Sequence, residues 1–291
     1  MYQKKASVSG NELHKVCLPL IRNMSELRTF RLRCTRSYDV SHLNVMNIKI
    51  LFVRGPEFSD DESINGLFSG CPMLEELSIK ECELKNISVF NISSTALKSL
   101  IIDCWSKGGY KLVLHTPNLQ DLEYEDRVAE GYALNKLNAF VNANISFLRR
   151  DFLSMMLCSS PLPKFFHLIC LDIGGYVAWN LLLDFLESSP QLETLIFMGL
   201  LQDKFEENQT CSWYPPENIS SCLLFHLKQI EINCFRGKSD KVKMAKYFLK
   251  NSKVLEKLKF HASSWTDTKS AEICIVLMSP RGSEKCRVVI S

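Results

Sequence analysis

Several features that mark other protein classes are missing from this sequence. It holds no apolar run of about 18 residues, the length that a membrane-spanning helix requires. Its opening segment, MYQKKASVSGNELHKV, lacks the apolar core of a secretory signal. The net charge of +3 is too small to predict binding to nucleic acid or to an anionic membrane. We therefore expect a cytoplasmic or nuclear protein with no nucleic-acid partner and no membrane partner.

The cysteines also lack the spacing of a functional site. None of the 12 forms a C-x-x-C pair, which argues against a zinc module. In a reducing compartment, cysteines stay unpaired and behave as small apolar side chains. The sequence thus predicts buried structural cysteines and no metal site.

No catalytic motif is present. The sequence contains no G-x-S-x-G, no P-loop, no G-x-G-x-x-G and no H-E-x-x-H. Glu123 and Glu125 could form an acid/base pair, but no nearby residue supplies a nucleophile. His261 is more simply a surface or hydrogen-bonded histidine. Arg281 could bind an anion, although the segment around it reads as a turn that enters the last strand. We therefore expect a non-enzymatic protein with no catalytic residue and no cofactor.

The chain does contain a recurring apolar motif, L-x-x-L-x-L with other apolar residues allowed. This motif is called the phrase below, and its three apolar positions are called its anchors. Its first anchors fall at residues 27, 48, 74, 97 and 119, so successive units are 21, 26, 23 and 22 residues apart. A gap of 49 residues up to residue 168 leaves room for one degenerate unit around residues 137–141. The nine phrases have their anchors at Leu27/Phe30/Leu32, Ile48/Leu51/Val53, Leu74/Leu77/Ile79, Leu97/Leu100/Ile102, Leu119/Leu122/Tyr124, Leu168/Leu171/Ile173, Leu192/Leu195/Phe197, Leu227/Ile230/Ile232 and Leu255/Leu258/Phe260.

This phrase at a period of about 20–29 residues is the signature of leucine-rich repeats. The last two anchors are two residues apart, so both point to one face of a short strand. No single repeat can bury that face, and parallel stacking of the units creates a continuous core. Cys82 follows one phrase where such repeats place Asn or Cys. The sequence predicts an α/β leucine-rich-repeat solenoid with a parallel sheet and one short strand per repeat.

The segments between the predicted strands read as irregular loops and short helices. Ser59 to Glu62 fit a capping box, which predicts a helix that begins at Ser59. Apolar periodicity predicts two further helices, over residues 178–187 and 241–250.

The C-terminal part resembles the FBD domain of plant F-box/leucine-rich-repeat proteins. The matching sequence segments are LKQIEINCFRG, AKYFLKNSKVLEKLKF and MSPRGSEKCRVVI, which occur in the family's order. Upstream, FSDDESINGLFSGCPMLEELSIKEC resembles the family's repeat module. The resemblance predicts an N-terminal remnant at 1–23, leucine-rich repeats at 24–222 and an FBD domain at 223–291. We expect the FBD segment to continue and cap the stack, with Val288 and Ile290 in a final strand.

The resemblance implies a substrate receptor of an SCF ubiquitin ligase, but such a receptor grips the adaptor subunit through an F-box. Residues 1–23 hold no F-box segment, so we expect adaptor binding only if an F-box is supplied upstream. Those residues also hold no complete repeat, so we expect the first apolar layer to be poorly covered and the isolated chain to aggregate.

The expected function is recognition of a partner protein, whose identity is unknown, on the concave face of the repeats. The alternatives are a ligase-uncoupled decoy or non-functional fragment, and a solenoid that senses a small ligand. Side chains that alternate with the anchors should project from the concave face. They are Ser78, Lys80, Ile101, Asp103, Glu123, Glu125, Asp172, Ile196, Met198, Glu231, Asn233, Lys259 and His261.

Overall fold

A computed structural model of the chain describes residues 4–9, 27–39, 46–58, 60–104, 109–126, 131–135, 137–147, 162–177, 179–200, 215–235, 239–262 and 274–291. The chain divides into two compact units, Met1–Phe140 with Ser146–Pro163, and Val141–Ile145 with Lys164–Ser291. Among the described helices, none combines the length and apolar character that a membrane crossing requires.

Strands dominate the described part of the chain. In chain order they are β1 (Lys4–Ser9), β2 (Leu27–Asp39), β3 (Ile50–Phe58), β4 (Glu76–Leu84), β5 (Val89–Ser93), β6 (Ser99–Cys104), β7 (Lys111–His115), β8 (Asp121–Asp126), β9 (Gly131–Asn135), β10 (Asn142–Phe147), β11 (Cys170–Val177), β12 (Thr194–Leu200), β13 (Gln229–Phe235), β14 (Lys257–Ala262) and β15 (Arg287–Ile290). The helices with defined bounds are α1 (Ser63–Gly70), α2 (Trp179–Ser188), α3 (Ser221–Phe225) and α4 (Ser239–Asn251), and residues 274–277 are also helical.

The first unit builds its main sheet from strands that are all parallel, in the order β1-β2-β3-β4-β6-β8. The pairing aligns equivalent anchors of successive phrases, so Leu77 lies beside Leu100 and Ile79 beside Ile102. Because each unit returns the chain to the same edge before the next strand starts, parallel pairing is the expected result. It confirms the predicted leucine-rich-repeat architecture.

The second unit repeats this arrangement with β10-β11-β12-β13-β14-β15, again all parallel. β10 supplies the degenerate unit expected in the long gap, where Ala143 takes the place of a larger anchor beside Leu171. β13, β14 and β15 continue the same sheet, and Val288 pairs beside Leu258 in the final strand as predicted. The C-terminal part therefore extends the repeat stack.

The core consists of the anchors that the phrase identified. Every anchor of the nine phrases is buried, and the most exposed of them, Leu122, shows only 7% of its surface. The strands read alternately buried and half-exposed, as in β6. The period-2 pattern of the sequence therefore becomes one buried and one open face of each sheet.

The first unit also contains a second sheet that the phrase did not predict. β5, β7 and β9 form a three-stranded parallel sheet, so three repeats contribute a second strand each. Buried rings occupy this part of the core: Phe90 packs edge-to-face on Phe58 and on Tyr110, and the Tyr110 and Tyr124 hydroxyls lie 2.6 Å apart. Ile87, Phe90 and Ile92 fit the spacing of the phrase, but they lie between the phrases that begin at Leu74 and Leu97, out of step with the repeat period.

β1 corrects the expectation for the N-terminal segment. We expected residues 1–23 to hold no complete repeat and to leave the first apolar layer poorly covered, yet β1 pairs in parallel with β2 from Lys4 to Ser9. The edge of β2 is therefore covered by a strand. Because β1 has charged and small residues in place of the apolar phrase, the repeat pattern does not identify it.

α1 corrects the predicted capping box. The helix begins at Ser63 and its N-cap, Glu62, makes no side-chain capping bond; Ser59 lies outside the described residues. Asp61 instead accepts hydrogen bonds from the backbone N–H groups of Ser88 (2.7 Å) and Val89 (3.0 Å). This acidic residue therefore fixes the start of β5 rather than the start of the helix.

Replacing Asp61 with alanine is expected to lower the free energy of unfolding by about 1–2 kcal/mol. The substitution removes the acceptor for both N–H groups, and hydrogen bonds to charged groups are worth more than neutral ones. Asp61→Asn keeps one acceptor oxygen and should recover about half of the loss. Urea denaturation of the three proteins measures the effect, and equal losses for the two variants would contradict this role.

The other two predicted helices are confirmed with small shifts at their ends, as α2 and α4. Trp179 of α2 packs edge-to-face on Tyr247 and Phe248 of α4. These two helices of the second unit thus contact each other through aromatic side chains.

Candidate functional site

The open face of the main sheet is the part of each unit where side chains are fixed in regular rows. Residues between the anchors project away from the core, and parallel register places equivalent residues side by side. In the first unit this gives two rows across β2, β3, β4, β6 and β8. The first row is Arg31, Phe52, Ser78, Ile101 and Glu123, and the second row is Arg33, Arg54, Lys80, Asp103 and Glu125.

The second of these rows, called the charged row below, separates its charges by sign. Three cations on β2, β3 and β4 are followed by two carboxylates, Asp103 on β6 and Glu125 on β8. At the junction, Lys80 Nζ lies 3.9 Å from Glu123 Oε1, a contact between two half-exposed side chains. Such a contact contributes little to stability because water screens it. The charged row is therefore a bipolar surface with a positive and a negative end.

Further contacts hold one arginine of each row in place. Arg54 donates from Nε to Glu81 Oε2 at 2.7 Å, and a second guanidinium nitrogen also contacts that carboxylate. The hydrogen bond to Glu81, followed by its charge, raises the pKa of Arg54, and the same bond lowers the pKa of Glu81. Arg31 lies with its guanidinium carbon 4.2 Å from the centroid of the Phe52 ring, in cation–π geometry.

The structure brings five of the predicted contact residues together in the first unit: Lys80, Ile101, Asp103, Glu123 and Glu125. Ser78 lies in the same rows but exposes only 6% of its surface, which leaves little of it for a partner. The prediction left out four residues that the rows include, namely Arg31, Phe52, Arg33 and Arg54. The alternation rule applied to β2 and β3 would have found them.

The second unit has its own rows on the open face. One runs through Asn144, Asp172, Ile196, Glu231, Lys259 and Val289. Met198, Asn233 and His261 follow two residues later on β12, β13 and β14. All seven residues predicted for this unit therefore lie on its strands, where Asn233 is exposed and the other six are half-buried.

Charges in the second unit compensate one another locally. Lys259 Nζ lies 2.9 Å from Glu231 Oε1, and His261 Nε2 contacts the same oxygen. Burial is the largest single effect on the Glu231 carboxyl and opposes its ionisation. The hydrogen bonds from His261 and Lys259 together outweigh burial and lower the pKa of Glu231. Partial burial, and then the charge of Glu231, raises the pKa of Asp172. This cluster is internally neutralised, as Arg54 is by Glu81 in the first unit.

His261 also joins the last strands of the second unit. Its Nδ1 lies 2.8 Å from Ser291 Oγ, while Nε2 faces Glu231. Because both ring nitrogens have partners, the side chain is held in one orientation. The hydrogen-bonded interpretation of this histidine fits the geometry.

The cysteines are arranged differently from the prediction in one respect. Cys82 on β4 and Cys104 on β6, separated by 22 residues, are joined by a disulfide, with Cα atoms 4.8 Å apart. Register brings them side by side, which spacing along the chain does not reveal. Cys222 matches the expected buried type: its thiol donates to Leu186 O, and burial raises its pKa to about 12. Within the described ranges, no cluster of His, Cys, Asp or Glu has the geometry to hold a metal ion.

Comparison with known protein families gives the character of the C-terminal part. Residues 215–260 match the FBD family model. This segment is therefore similar to an FBD domain. The match begins before the predicted boundary at residue 223 and covers α3, β13, α4 and most of β14.

Relatives extend the similarity to most of the chain. A putative FBD-associated F-box protein of Arabidopsis thaliana is 26% identical over 84% of this chain and 64% of its own length. Two F-box/FBD/LRR-repeat proteins of the same plant are 28% and 32% identical, each over 80% of this chain. These two are covered over 58% and 57% of their own lengths, so the chain spans about six tenths of the relatives it matches. The predicted resemblance to plant F-box/FBD/LRR-repeat proteins is confirmed.

Proposed function

We propose that this FBD-containing chain is a non-enzymatic recognition module that binds a partner protein on the open face of its repeat sheet. The observation that supports this most strongly is the charged row of the first unit, from Arg33 to Glu125. Charges placed on a sheet are fixed in spacing, so they can discriminate between partners by the pattern of charge as well as its sign.

Physical properties of the charged row favour a protein over a small ligand. The row crosses five strands spaced about 4.8 Å apart, so it spans a distance typical of a protein interface. Lys80 and Arg54 of the charged row are exposed. Ile101 and Phe52, in the row beside it, are half-buried apolar side chains. Apolar groups among opposite charges provide both burial and orientation when a complementary surface docks.

The relatives are named for an F-box, and that name is the support for a link to ubiquitin ligases. We infer that the repeat and FBD portion supplies the substrate-recognition half of such a receptor. On this proposal the chain acts in the cytoplasm or nucleus, where SCF ligases work. A decoy that is not coupled to a ubiquitin ligase would bind its partner on the same face. It would differ only in the fate of the bound partner.

Exchanging the two central charges tests the proposal. The double variant Lys80→Glu with Asp103→Lys inverts the middle of the charged row without changing the net charge. A bipolar partner surface would then meet like charges, and we expect about tenfold weaker binding or more. The measurement is quantitative affinity capture of plant proteins on the tagged full chain, compared between wild type and variant.

The matched control is Glu217→Lys with Lys246→Glu, two exposed residues outside the open face. It exchanges the same charge types and should retain the wild-type partners. If the Lys80/Asp103 variant retains the same partners at the same yield, the charged row is not the recognition surface. Loss in both variants would point to nonspecific charge effects and would also contradict the proposal.

A further inference from the structure

Within the part of the chain that the structure describes, the last strand of the second unit has a free backbone edge. Arg287 donates its N–H to Glu256 O and Ser291 donates to Phe260 O, both at 2.9 Å. In a parallel pair, alternate residues direct their N–H and C=O groups to the same neighbour. The N–H and C=O groups of Val288 and Ile290 therefore point away from β14. Within the described residues, the sheet order ends at β15.

The apolar layer beneath this edge is also incompletely covered. Val288 and Ile290 are half-exposed, whereas their register partners Leu258 and Phe260 on β14 expose 0% and 2%. An additional strand along β15 would satisfy the four backbone groups and cover these two side chains in one step. Free strand edges with apolar side chains are the surfaces to which extended peptides add.

Charge around β15 indicates the type of strand that fits. A groove of about 780 Å³ lies along the first part of β15 and the turn before it. It is lined by the four cations Lys257, Arg281, Lys285 and Arg287 and by two carboxylates, Glu256 and Glu284. The groove thus has an excess of positive charge beside the free edge.

The alternation of β15 makes the expected partner more specific. Arg287 and Val289 line the groove, whereas Val288 and Ile290 pair beside the buried anchors of β14. A strand added at the edge would place alternate side chains on the same two sides. Acidic side chains would therefore meet Arg287 and its neighbours, while apolar side chains would cover Val288 and Ile290.

We propose that the free edge of β15 binds an extended partner segment that alternates acidic and apolar residues and adds to the sheet as a further strand. This surface belongs to the second unit and goes beyond the recognition role of the charged row. Backbone hydrogen bonds supply part of the affinity, and the cations select acidic sequences over basic ones.

The probe is a fluorescein-labelled peptide of about eight residues, one strand in length, that alternates glutamate with valine. Fluorescence anisotropy with the full chain should show saturable binding below about 1 mM, and a lysine–valine peptide should bind about tenfold more weakly. Lys285→Glu with Arg287→Glu should weaken the glutamate peptide about tenfold and reduce its salt dependence. The control Lys246→Glu with Lys253→Glu makes the same change in net charge on exposed residues outside the groove and should bind as wild type.

A backbone variant tests the strand geometry separately. Ile290→Pro removes an N–H that faces the free edge and leaves the bonds to β14 in place, so the fold should persist by circular dichroism while peptide binding weakens about tenfold. Equal binding of both peptides, or unchanged binding in the charge variant, would overturn the proposal. Self-association that Ile290→Pro abolishes, with no peptide binding, would make a second copy the occupant and would also overturn it.

Discussion

Replacing Phe197 with alanine is expected to lower the free energy of unfolding by about 3–5 kcal/mol. Phe197 is the third anchor of its phrase on β12, is fully buried, and lies between Ile173 and Ile232 of the neighbouring strands. The substitution removes a whole ring from a layer that no other side chain can refill, so both the burial and the surrounding contacts are lost. Urea denaturation followed by circular dichroism measures the loss.

Phe225 provides the matched control for this measurement. It is the same residue type in the same unit, but it exposes 66% of its surface at the end of α3. Phe225→Ala should change the free energy of unfolding by no more than about 0.5 kcal/mol. If both variants lose a similar amount, the phrase anchors do not form the core of the repeats in the way described.

Replacing Gly282 with alanine should be the second most damaging change, at about 3 kcal/mol, the upper end of the range for overpacking. A Cβ at this position would collide with the carbonyl oxygen of Lys250 and would lie 3.1 Å from the carbonyl oxygen of Ser252. These are backbone atoms, which cannot rotate away as a side chain does. Gly282 also donates its N–H to Leu249 O at 2.7 Å, so the turn is tied to the C-terminal end of α4.

Gly131→Ala is the control for this prediction, since an added Cβ there would meet only the Cγ atom of Lys111 at 3.7 Å, an ordinary contact. Its effect on the midpoint of thermal unfolding should be small, while Gly282→Ala should lower the midpoint by several degrees. A tolerated Gly282→Ala would mean that the turn at residues 281–283 does not pack on α4. The sequence had left anion binding by Arg281 as an alternative; Arg281 donates to Cys286 O, which fixes its guanidinium at the turn beside the groove.

The repeat architecture could be predicted because it depends on local, periodic information. Each phrase carries its strand and its inward face in six residues, so Leu192, Leu195 and Phe197 identify a buried strand without knowledge of any neighbour. The segments that resemble the FBD domain likewise identify β13 and β14, where Ile230 and Leu258 pair as expected.

What the sequence did not reveal depends on contacts between repeats. The second sheet forms because β5, β7 and β9 align once the main strands are stacked, and the phrase that ends in β5, Ile87/Phe90/Ile92, is out of step with the repeat period. Asp61 lies inside the segment from Ser59 to Glu62 that fits a capping box, yet its carboxylate accepts hydrogen bonds from residues 27 and 28 positions away. The disulfide between Cys82 and Cys104 likewise follows from register.

The candidate site could also be predicted only in part. Alternation correctly placed Lys80 and Asp103 on the open face of the sheet, because side-chain direction in a strand is a local property. The sign separation along the charged row could not be seen from single strands, since it arises when Arg33, Arg54 and Lys80 are brought into register with Asp103. The prediction that these residues contact a partner therefore remains to be tested directly.

Photo-crosslinking from defined positions is the most direct test of recognition on the open face. A photoreactive phenylalanine analogue is placed at Ile101 or Ile196, both on the open face, and at Met73 or Phe225, which are exposed elsewhere. Each tagged protein is then irradiated in plant extract, and the crosslinked partners are identified by mass spectrometry. The account predicts that a partner crosslinks from an open-face position, Ile101 first, and that Lys80→Glu with Asp103→Lys abolishes that product. Crosslinks to the same partner from Met73 or Phe225 alone would contradict it.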